Sequence, residues 1–237
     1  MAQPGFENKQ KKFPAVLNAL KFRETEILKT LQENGLKKNQ FRILLMASKQ
    51  DKKLRLYAGE LAGDSPMKLI RTFSICASSG SPGPKTMQGD EQVPEGFYHI
   101  SRFNPLSQYH LALEVSYPNE ADITRNKSQN PGGDIMIHGS CVTIGCLPMR
   151  DAGIEEIYLY AVKARNNGQM KIPVYIFPAW PDGVSFTTLL RENADNPTLI
   201  SFWKNLASGY RIFESGKRPL QFSVTSTGAY AFSQMPD

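Results

Sequence analysis

The spacing of apolar positions along the chain predicts helices towards both ends. Residues 14–34 carry apolar side chains near one helical face, begin at a proline and stop before Gly35, a typical helix terminator. Residues 151–165 repeat the same period, and Asp151 at their start is expected to cap the helix. Residues 184–213 predict one or two more helices. All three are expected to pack one apolar face on a core.

Between and beside these helices, short apolar runs bounded by Gly, Pro, Asn and Ser predict strands. The predicted strands are residues 41–46, 54–57, 68–74, 97–101, 111–115 and 172–177, with one more at 220–224 in the tail. Residues 78–95 and 119–133 are rich in turn-forming residues and are expected to be loops. The polar, basic residues 1–12 are expected to be loosely ordered.

Composition adds limits on the class of protein. With 237 residues, 41% hydrophobic and 21% charged, the chain can bury a globular core. The net charge of +6 suits nucleic acid or an anionic cell envelope, but no nucleic-acid-binding motif is present, so nucleic acid is not predicted as a partner. No apolar run is long enough for a transmembrane helix. Nothing in the sequence indicates an oligomeric state.

The first residues, MAQPGFENKQKKF, lack the apolar segment of a secretory signal peptide. This is compatible both with a cytosolic protein and with an exported protein whose signal peptide has been removed. Both alternatives remain open at this level.

Histidine and cysteine spacing indicates neither a metal site nor a bound cofactor. The three histidines and three cysteines form no HExxH or CxxC pattern, and no phosphate-binding or dinucleotide fingerprint follows a strand. Three cysteines are also too few for a disulfide framework. Cys76 is expected to be a small buried residue. Cys141 and Cys146 lie five positions apart and could pair with each other.

The most informative stretch is residues 134–146, DIMIHGSCVTIGC. An apolar run delivers His138 and Gly139 at its end, and Gly145 and Cys146 follow in a short loop. A cysteine nucleophile needs a base, small neighbours and N–H donors for the oxyanion. We therefore predict Cys146 as nucleophile, His138 as base, and the N–H groups of Gly145 and Cys146 as the oxyanion site.

Such a Cys–His pair can lower a thiol pKa from about 8.5 to between about 3.5 and 7.5, which would make the thiol reactive at neutral pH. The alternative is a buried small cysteine near a strand-end histidine that has no catalytic role.

The order of apolar strand, His-Gly, short loop and Thr-x-Gly-Cys-Leu-x-Met resembles the signature of the YkuD-type L,D-transpeptidase family. These are cysteine enzymes that act on peptidoglycan stem peptides. The short spacing between His-Gly and Gly-Cys is most similar to the YafK-like branch. The resemblance spans roughly residues 40–215 and includes further segments at 83–85, 88–90, 94–98, 154–158, 202–203 and 209–210.

The resemblance implies an α+β fold with a mostly β catalytic domain, a sandwich or partly closed barrel, flanked by helices. We divide the chain into an N-terminal helical extension (1–38), a catalytic domain (39–178) and a C-terminal helical extension (179–237). In the family, the segment corresponding to 78–95 borders the substrate cleft. The candidate substrate-binding residues are Lys85, Gln88, Asp90, Gly139 and Ser140. For 78–95, an ordinary connecting loop is the alternative.

The implied activity is acyl transfer through a Cys146 thioester, either as an L,D-transpeptidase or as an amidase that releases lipoprotein from the diaminopimelate of peptidoglycan. The implied location is the periplasm or cell envelope, with peptidoglycan as partner.

Two positions depart from the commoner family pattern: Ile144 replaces a histidine, and Pro148 replaces an arginine. They leave a non-catalytic peptidoglycan-binding or regulatory protein as the second hypothesis. A cytosolic cysteine hydrolase on the same scaffold is the third.

Overall fold

The computed structural model describes residues 5–62, 65–126 and 128–233. The helices in that part of the chain are α1 (Phe6–Gln10), α2 (Pro14–Glu33), α3 (Glu120–Arg125), α4 (Arg150–Asn166), α5 (Val184–Glu192) and α6 (Pro197–Gly216). The strands are β1 (Phe41–Ser48), β2 (Lys53–Glu60), β3 (Lys68–Ser74), β4 (Gly96–Asn104), β5 (Ala112–Val115), β6 (Met136–His138), β7 (Leu147–Pro148), β8 (Pro173–Phe177), β9 (Phe222–Val224) and β10 (Tyr230–Phe232).

Eight of these strands form one sheet in the order β3-β2-β1-β8-β4-β5-β6-β7. Neighbours are antiparallel except the pairs β1–β8 and β6–β7, which are parallel. The first half of β4 pairs with β8 and the second half with β5, with a register shift between Ile100 and Arg102. Such a shift bends a strand. The sheet therefore turns at β4 and carries β6 and β7 at one end.

Both faces of the sheet are covered, as β1 illustrates. Ile43, Leu45 and Ala47 belong to one core, which also contains the buried faces of α2 and α4. Leu44 and Met46 belong to a second core with α5, α6 and the β9–β10 hairpin. Alternate residues of a strand point to opposite faces, so a strand covered on both sides is apolar almost throughout. The N- and C-terminal segments thus pack on opposite faces of the sheet.

The predicted α+β fold, with a mainly β catalytic region and flanking helices, is confirmed. The division at residues 38 and 178 stays a prediction. Three local expectations were wrong. Residues 6–10 are helical rather than loosely ordered, and the Phe6 ring packs on Phe103. The predicted loop 119–133 contains α3, which Asn119 caps. The tail carries a second strand, β10, that pairs with β9.

Among the described residues, no helix combines the length and apolar character that crossing a membrane requires.

Candidate active site

The predicted nucleophile and base, Cys146 and His138, lie on neighbouring segments of the chain where β7 pairs with β6. The strands run parallel with Ile137 opposite Leu147, and Cys146 immediately precedes β7. The N–H of Met136 lies 3.4 Å from the Cys146 sulfur, so the thiol sits across from Met136. Alternate residues of a strand share a face, so Met136 and His138 project to the same side of β6. The thiol therefore lies beside β6, at Met136, two residues before His138.

His138 is buried and is oriented by its immediate neighbours. Its Nδ1 lies 2.6 Å from the carbonyl oxygen of Gly139. A carbonyl only accepts hydrogen bonds, so Nδ1 carries the hydrogen and Nε2 of the neutral ring keeps a lone pair. The Tyr109 ring packs against the imidazole with centroids 4.9 Å apart. Burial lowers the pKa of His138, although the Gly139 carbonyl acts in the opposite direction. The ring is thus poised to accept a proton at Nε2.

Cys146 is a free, partly buried cysteine. Burial raises the pKa of its thiol above the ordinary value; the Met136 N–H and the positive charge of Lys85 lower it, and the Asp134 charge raises it further. We expected a lowered pKa, as in many Cys–His pairs. The structure instead favours a neutral thiol and a neutral imidazole. In such a pair the base must remove the proton as the sulfur attacks.

Thr143 is a site residue whose role the sequence did not predict. Its hydroxyl oxygen accepts hydrogen bonds from the N–H of Cys146 at 2.7 Å and of Gly145 at 3.2 Å. The same hydroxyl donates to the carbonyl oxygen of Cys146 at 2.9 Å. Ser and Thr side chains commonly close such turns, so the Thr-x-Gly-Cys spacing was the available signal. The two N–H groups predicted to hold an oxyanion are engaged by this hydroxyl in the structure.

Glycine is required at position 145 for two reasons. The residue has φ of +125°, a conformation that other L-residues rarely adopt. A Cβ there would also lie 2.9 Å from the carbonyl oxygen of Gln92. The turn that precedes Cys146 therefore depends on the missing side chain.

Gly139 and Ser140 are held in place by contacts behind the imidazole. A Cβ on Gly139 would lie 2.6 Å from both an Asp151 carboxylate oxygen and the Tyr109 carbonyl oxygen. The Ser140 N–H donates to Asp151 Oδ1 at 2.8 Å. Asp151 was expected to cap α4, but that helix begins at Arg150 and its N-cap has no side-chain hydrogen bond. The carboxylate instead fixes the loop that follows His138.

Lys85 and Asp90 are paired with each other beside the site. The Lys85 ammonium is buried, lies 2.6 Å from Asp90 Oδ1 and donates to the Met87 carbonyl at 2.8 Å. Burial acts to raise the pKa of Asp90, but the bonds from Lys85 and from three backbone N–H groups lower it overall. The Gln88 side chain is exposed, and its backbone N–H donates to Asn130 at 3.1 Å. Of these three residues, only Gln88 presents its side chain openly to solvent.

A cleft opens beside the thiol. Its lining residues are Lys49, Gln50, Ile75, Val93, Glu95, Cys146, Leu147, Pro178, Leu189 and the loop 77–82. Its base holds an ion pair that the sequence did not predict, Lys49 with Glu95 at 2.8 Å. The Trp203 indole donates to the other oxygen of Glu95 at 2.7 Å, which ties α6 to the base of the cleft. Glu95 is fully buried, and both of its oxygens are satisfied.

Cys76 and Cys141 form a disulfide with their Cα atoms 5.7 Å apart. This corrects the expectation that Cys76 is simply a buried small residue, and it rules out the alternative in which Cys141 pairs with Cys146 in this structure. Cys76 lies between Ile75 and Ala77, which both line the cleft, whereas Cys141 lies in the loop between His138 and Cys146. The bond ties that loop to the segment beside the cleft and leaves the predicted nucleophile free.

The other two histidines make their own contacts and are not part of the predicted pair. His99 is a strand residue of β4, as predicted, and its Nδ1 contacts the Ser116 hydroxyl at 3.0 Å. His110 Nε2 lies 3.0 Å from Glu155 Oε1. In the part of the chain that the structure describes, no group of three or more His, Cys, Asp and Glu residues is arranged to hold a metal.

Comparison with known proteins identifies the family. A family model, YkuD, the L,D-transpeptidase catalytic domain, matches residues 43–176. The chain is also 34% identical over 196 residues to the Escherichia coli K12 protein named "Putative L,D-transpeptidase YafK", a match that covers 81% of this chain and 74% of that protein. The chain belongs to the YkuD family. The predicted membership, with its YafK-like character, is therefore confirmed.

Solved structures similar to this YkuD protein include the helical cell shape determining protein Pgp2 from Campylobacter jejuni. That match has 22% identity, covers 83% of this chain and 80% of that one, and has a TM-score of 0.46. Bdellovibrio bacteriovorus Bd1075 matches at 24% identity over 60% of this chain and 50% of that one, with a TM-score of 0.41.

The two departures from the commoner YkuD pattern have different surroundings. Ile144 is 78% exposed, so an apolar side chain stands at the rim of the site where a histidine is usual. Pro148 is buried and pairs with His138 in the β6–β7 ladder. The first departure changes the exposed surface near Cys146, and the second forms part of the strand pair that holds His138.

Proposed function

We propose that this YkuD protein is a cysteine-dependent acyl transferase or hydrolase that acts on peptidoglycan stem peptides in the cell envelope. Family membership supports a peptidoglycan-acting enzyme of the L,D-transpeptidase class. The observation that supports the proposed chemistry is the pairing of β6, which ends at His138, with β7, which directly follows Cys146, together with the open cleft that Cys146 lines.

The first half of the reaction makes a thioester. As Cys146 Sγ bonds to the carbonyl carbon of the donor peptide, its proton passes to His138 Nε2. The tetrahedral intermediate then collapses, the carbon–nitrogen bond breaks, and His138 returns the proton to the departing amine. The raised thiol pKa and the lowered imidazole pKa both support a start from neutral partners.

The oxyanion is proposed to bind at the N–H groups of Gly145 and Cys146. Both bond to the Thr143 hydroxyl in the structure. The hydroxyl keeps the two N–H groups directed at a common point, and the developing oxyanion would replace it there. Two fixed N–H donors at this place stabilise the negatively charged transition state more than they stabilise the uncharged ground state.

Around this centre, we propose that the cleft binds the donor peptide. The Lys85–Asp90 pair shapes the loop on one side, while the exposed Gln88 is available for direct contact. The exposed Ser140 side chain is a second candidate for direct contact, while Gly139 packs tightly against Tyr109, His110 and Asp151 and fixes the loop beside the substrate.

The second half of the reaction depends on the acceptor. An amine or water attacks the thioester carbonyl while His138 takes the acceptor's proton. The carbon–sulfur bond then breaks, and His138 gives this proton to the leaving sulfur, which regenerates the thiol. Attack by an amine is transpeptidation. Attack by water is hydrolysis, which includes release of a lipoprotein linked to diaminopimelate.

The test is mass spectrometry of products from sacculi that carry bound lipoprotein, incubated with wild-type protein and with Cys146→Ala. Lipoprotein or free tripeptide ends released only by wild type would identify a hydrolase. New diaminopimelate–diaminopimelate links or exchanged terminal residues would identify a transpeptidase. Equal products from both proteins would refute a role for the thiol.

A non-catalytic peptidoglycan-binding role is the second candidate, and the occupied N–H groups at Thr143 and the exposed Ile144 are the observations that favour it. A carbapenem separates the two, because an activated Cys146 forms a covalent adduct detectable by intact-protein mass spectrometry. Binding to sacculi without any adduct would favour the non-catalytic role.

A further inference from the structure

Glu155 links the N-terminal helix to the segment that precedes β5. It lies on α4 with only 8% of its side chain exposed. One carboxylate oxygen accepts from Arg23 Nε on α2 at 2.8 Å, and the other accepts from His110 Nε2 at 3.0 Å. A buried carboxylate that is hydrogen-bonded on both oxygens fixes its partners far better than an exposed one does.

His110 needs this support because its backbone is strained. Its φ of +73° lies in the left-handed region, which non-glycine residues adopt uncommonly. Such a conformation persists where surrounding contacts hold it. The Glu155 bond to the imidazole is a contact of that kind.

The His110 segment presses directly on the residue that orients His138. A Cβ on Gly139 would lie 2.6 Å from the Tyr109 carbonyl oxygen and 3.0 Å from His110 Cβ, so no space separates them. The Gly139 carbonyl in turn accepts the hydrogen of His138 Nδ1. The Tyr109 ring also packs on the imidazole itself. A shift of the His110 backbone would therefore displace the His138 ring both through Gly139 and through the Tyr109 ring.

We propose that Arg23, Glu155 and His110 are positioning residues for His138, and that α2 is in this way a working part of the active site. Arg23 lies outside residues 43–176, which the family model matches. The inference rests on the proposed function only for the role of His138 as base. The alternative is that the Arg23–Glu155 ion pair only attaches α2 to α4.

The chain offers a matched control for that alternative. Glu24, the neighbour of Arg23, pairs with Lys163 of α4 at 2.6 Å. The exposed fractions nearly coincide: 36% and 8% for Arg23 and Glu155, and 38% and 7% for Glu24 and Lys163. Each α4 partner also keeps a second partner when its α2 residue is removed. Glu155 keeps His110, and Lys163 keeps Glu7.

The experiment compares Arg23→Gln with Glu24→Gln in the full chain. Three properties are measured: kcat and KM for product release from sacculi, the pH dependence of Cys146 alkylation by iodoacetamide, and the nitrogen chemical shifts of the histidines. The chain has three histidines, so selective ¹⁵N labelling gives a spectrum simple enough to follow His138. The two variants change net charge in opposite directions, so each measurement is repeated at high salt to screen that effect.

We expect Arg23→Gln to lower kcat about tenfold with little change in KM, since small displacements of a catalytic group are costly. The His138 signals and the alkylation profile should move with it, whereas Glu24→Gln should leave all three unchanged. Equal behaviour of the two variants overturns the inference.

The readouts keep the two proposals apart. If wild type releases no product from sacculi, but only Arg23→Gln moves the His138 signals and the alkylation profile, the proposed function fails and the positioning role stands. If sacculi are processed normally by both variants and the His138 signals coincide, the positioning role fails alone. A comparable loss of melting temperature in both variants would show that attachment of α2 is not the cause of any difference.

Discussion

His138 ends a strand with a neighbour on each side, whereas Cys146 follows a loop that lacks the repeating hydrogen bonds of a strand. β6 is bounded by β5 and β7, and contacts from Gly139, Tyr109 and Asp151 secure the turn beyond it. The loop before Cys146 is shaped by single features instead: one hydroxyl, one left-handed glycine and one disulfide.

This difference indicates where the site is easiest to break. On the histidine side, many contacts together hold His138 in place, so removal of one should shift it only slightly. On the cysteine side, each feature acts almost alone. Substitutions in the loop 140–146 should therefore have larger effects than substitutions of equal size around β6.

The largest effect is expected from Gly145→Ala. The added methyl group would strain a residue at φ of +125° and crowd the Gln92 carbonyl at 2.9 Å. We expect kcat/KM on sacculi to fall about a hundredfold or more, because both the thiol and the oxyanion N–H groups depend on this turn. Backbone strain alone should cost roughly 1–2 kcal/mol of folding free energy.

Gly133→Ala is the matched control for this change. It lies in a neighbouring loop, and a Cβ there would meet nothing within 4 Å. We expect activity and melting temperature close to those of wild type. Similar losses in both variants would contradict the special role of the turn at Gly145.

A smaller effect should follow reduction of the Cys76–Cys141 bond. The bond joins positions 65 residues apart, and a native disulfide of this kind contributes about 2–4 kcal/mol. We expect reductant to lower the melting temperature by on the order of ten degrees. On reduction, kcat/KM should fall less than it does in Gly145→Ala, since Thr143 and Gly145 still shape the turn before Cys146.

The double variant Cys76→Ser/Cys141→Ser supplies the control for that experiment, because it keeps Cys146 and contains no other cysteine. It should resemble the reduced wild type, and it should not respond to reductant. A wild-type protein whose stability ignores reductant would show that the bond does not contribute in solution.

The sequence predicts the parts of the site that neighbouring residues form, and it does not predict the parts that join distant positions. The apolar run that ends at His138 predicts β6, and the family signature names the thiol and the imidazole, because local patterns report local structure. The Cys76–Cys141 pairing and the Arg23–Glu155–His110 connection join distant positions. Neither leaves a pattern in a single sequence, so only the fold reveals them.

A similar limit applies to chemistry. A Cys–His spacing predicts that two groups meet, but their pKa values depend on burial and on charges contributed by other segments. Lys85 and Asp134, on separate loops, both act on the Cys146 thiol. The direction of the thiol shift therefore became visible only in the structure.

The pH dependence of the reaction tests that shift and is expected to be the most modest effect. Burial holds the pKa of His138 below its ordinary 6.5, so the imidazole stays neutral to a lower pH than a free histidine. As the pH falls, kcat/KM should decline only below about 6.5.

The thiol pKa lies above its ordinary 9.0, so thiolate absorbance should be absent at neutral pH and should rise only in alkaline solution. A resting thiolate–imidazolium pair would behave in the opposite way: thiolate would absorb at neutral pH, and the rate would fall as the imidazolium lost its proton. A Cys146→Ser variant gives the absorbance baseline, and His138→Ala should remove the acid limb. Thiolate at neutral pH in wild type that disappears in His138→Ala would contradict the neutral pair and show that the histidine, rather than burial, controls the nucleophile.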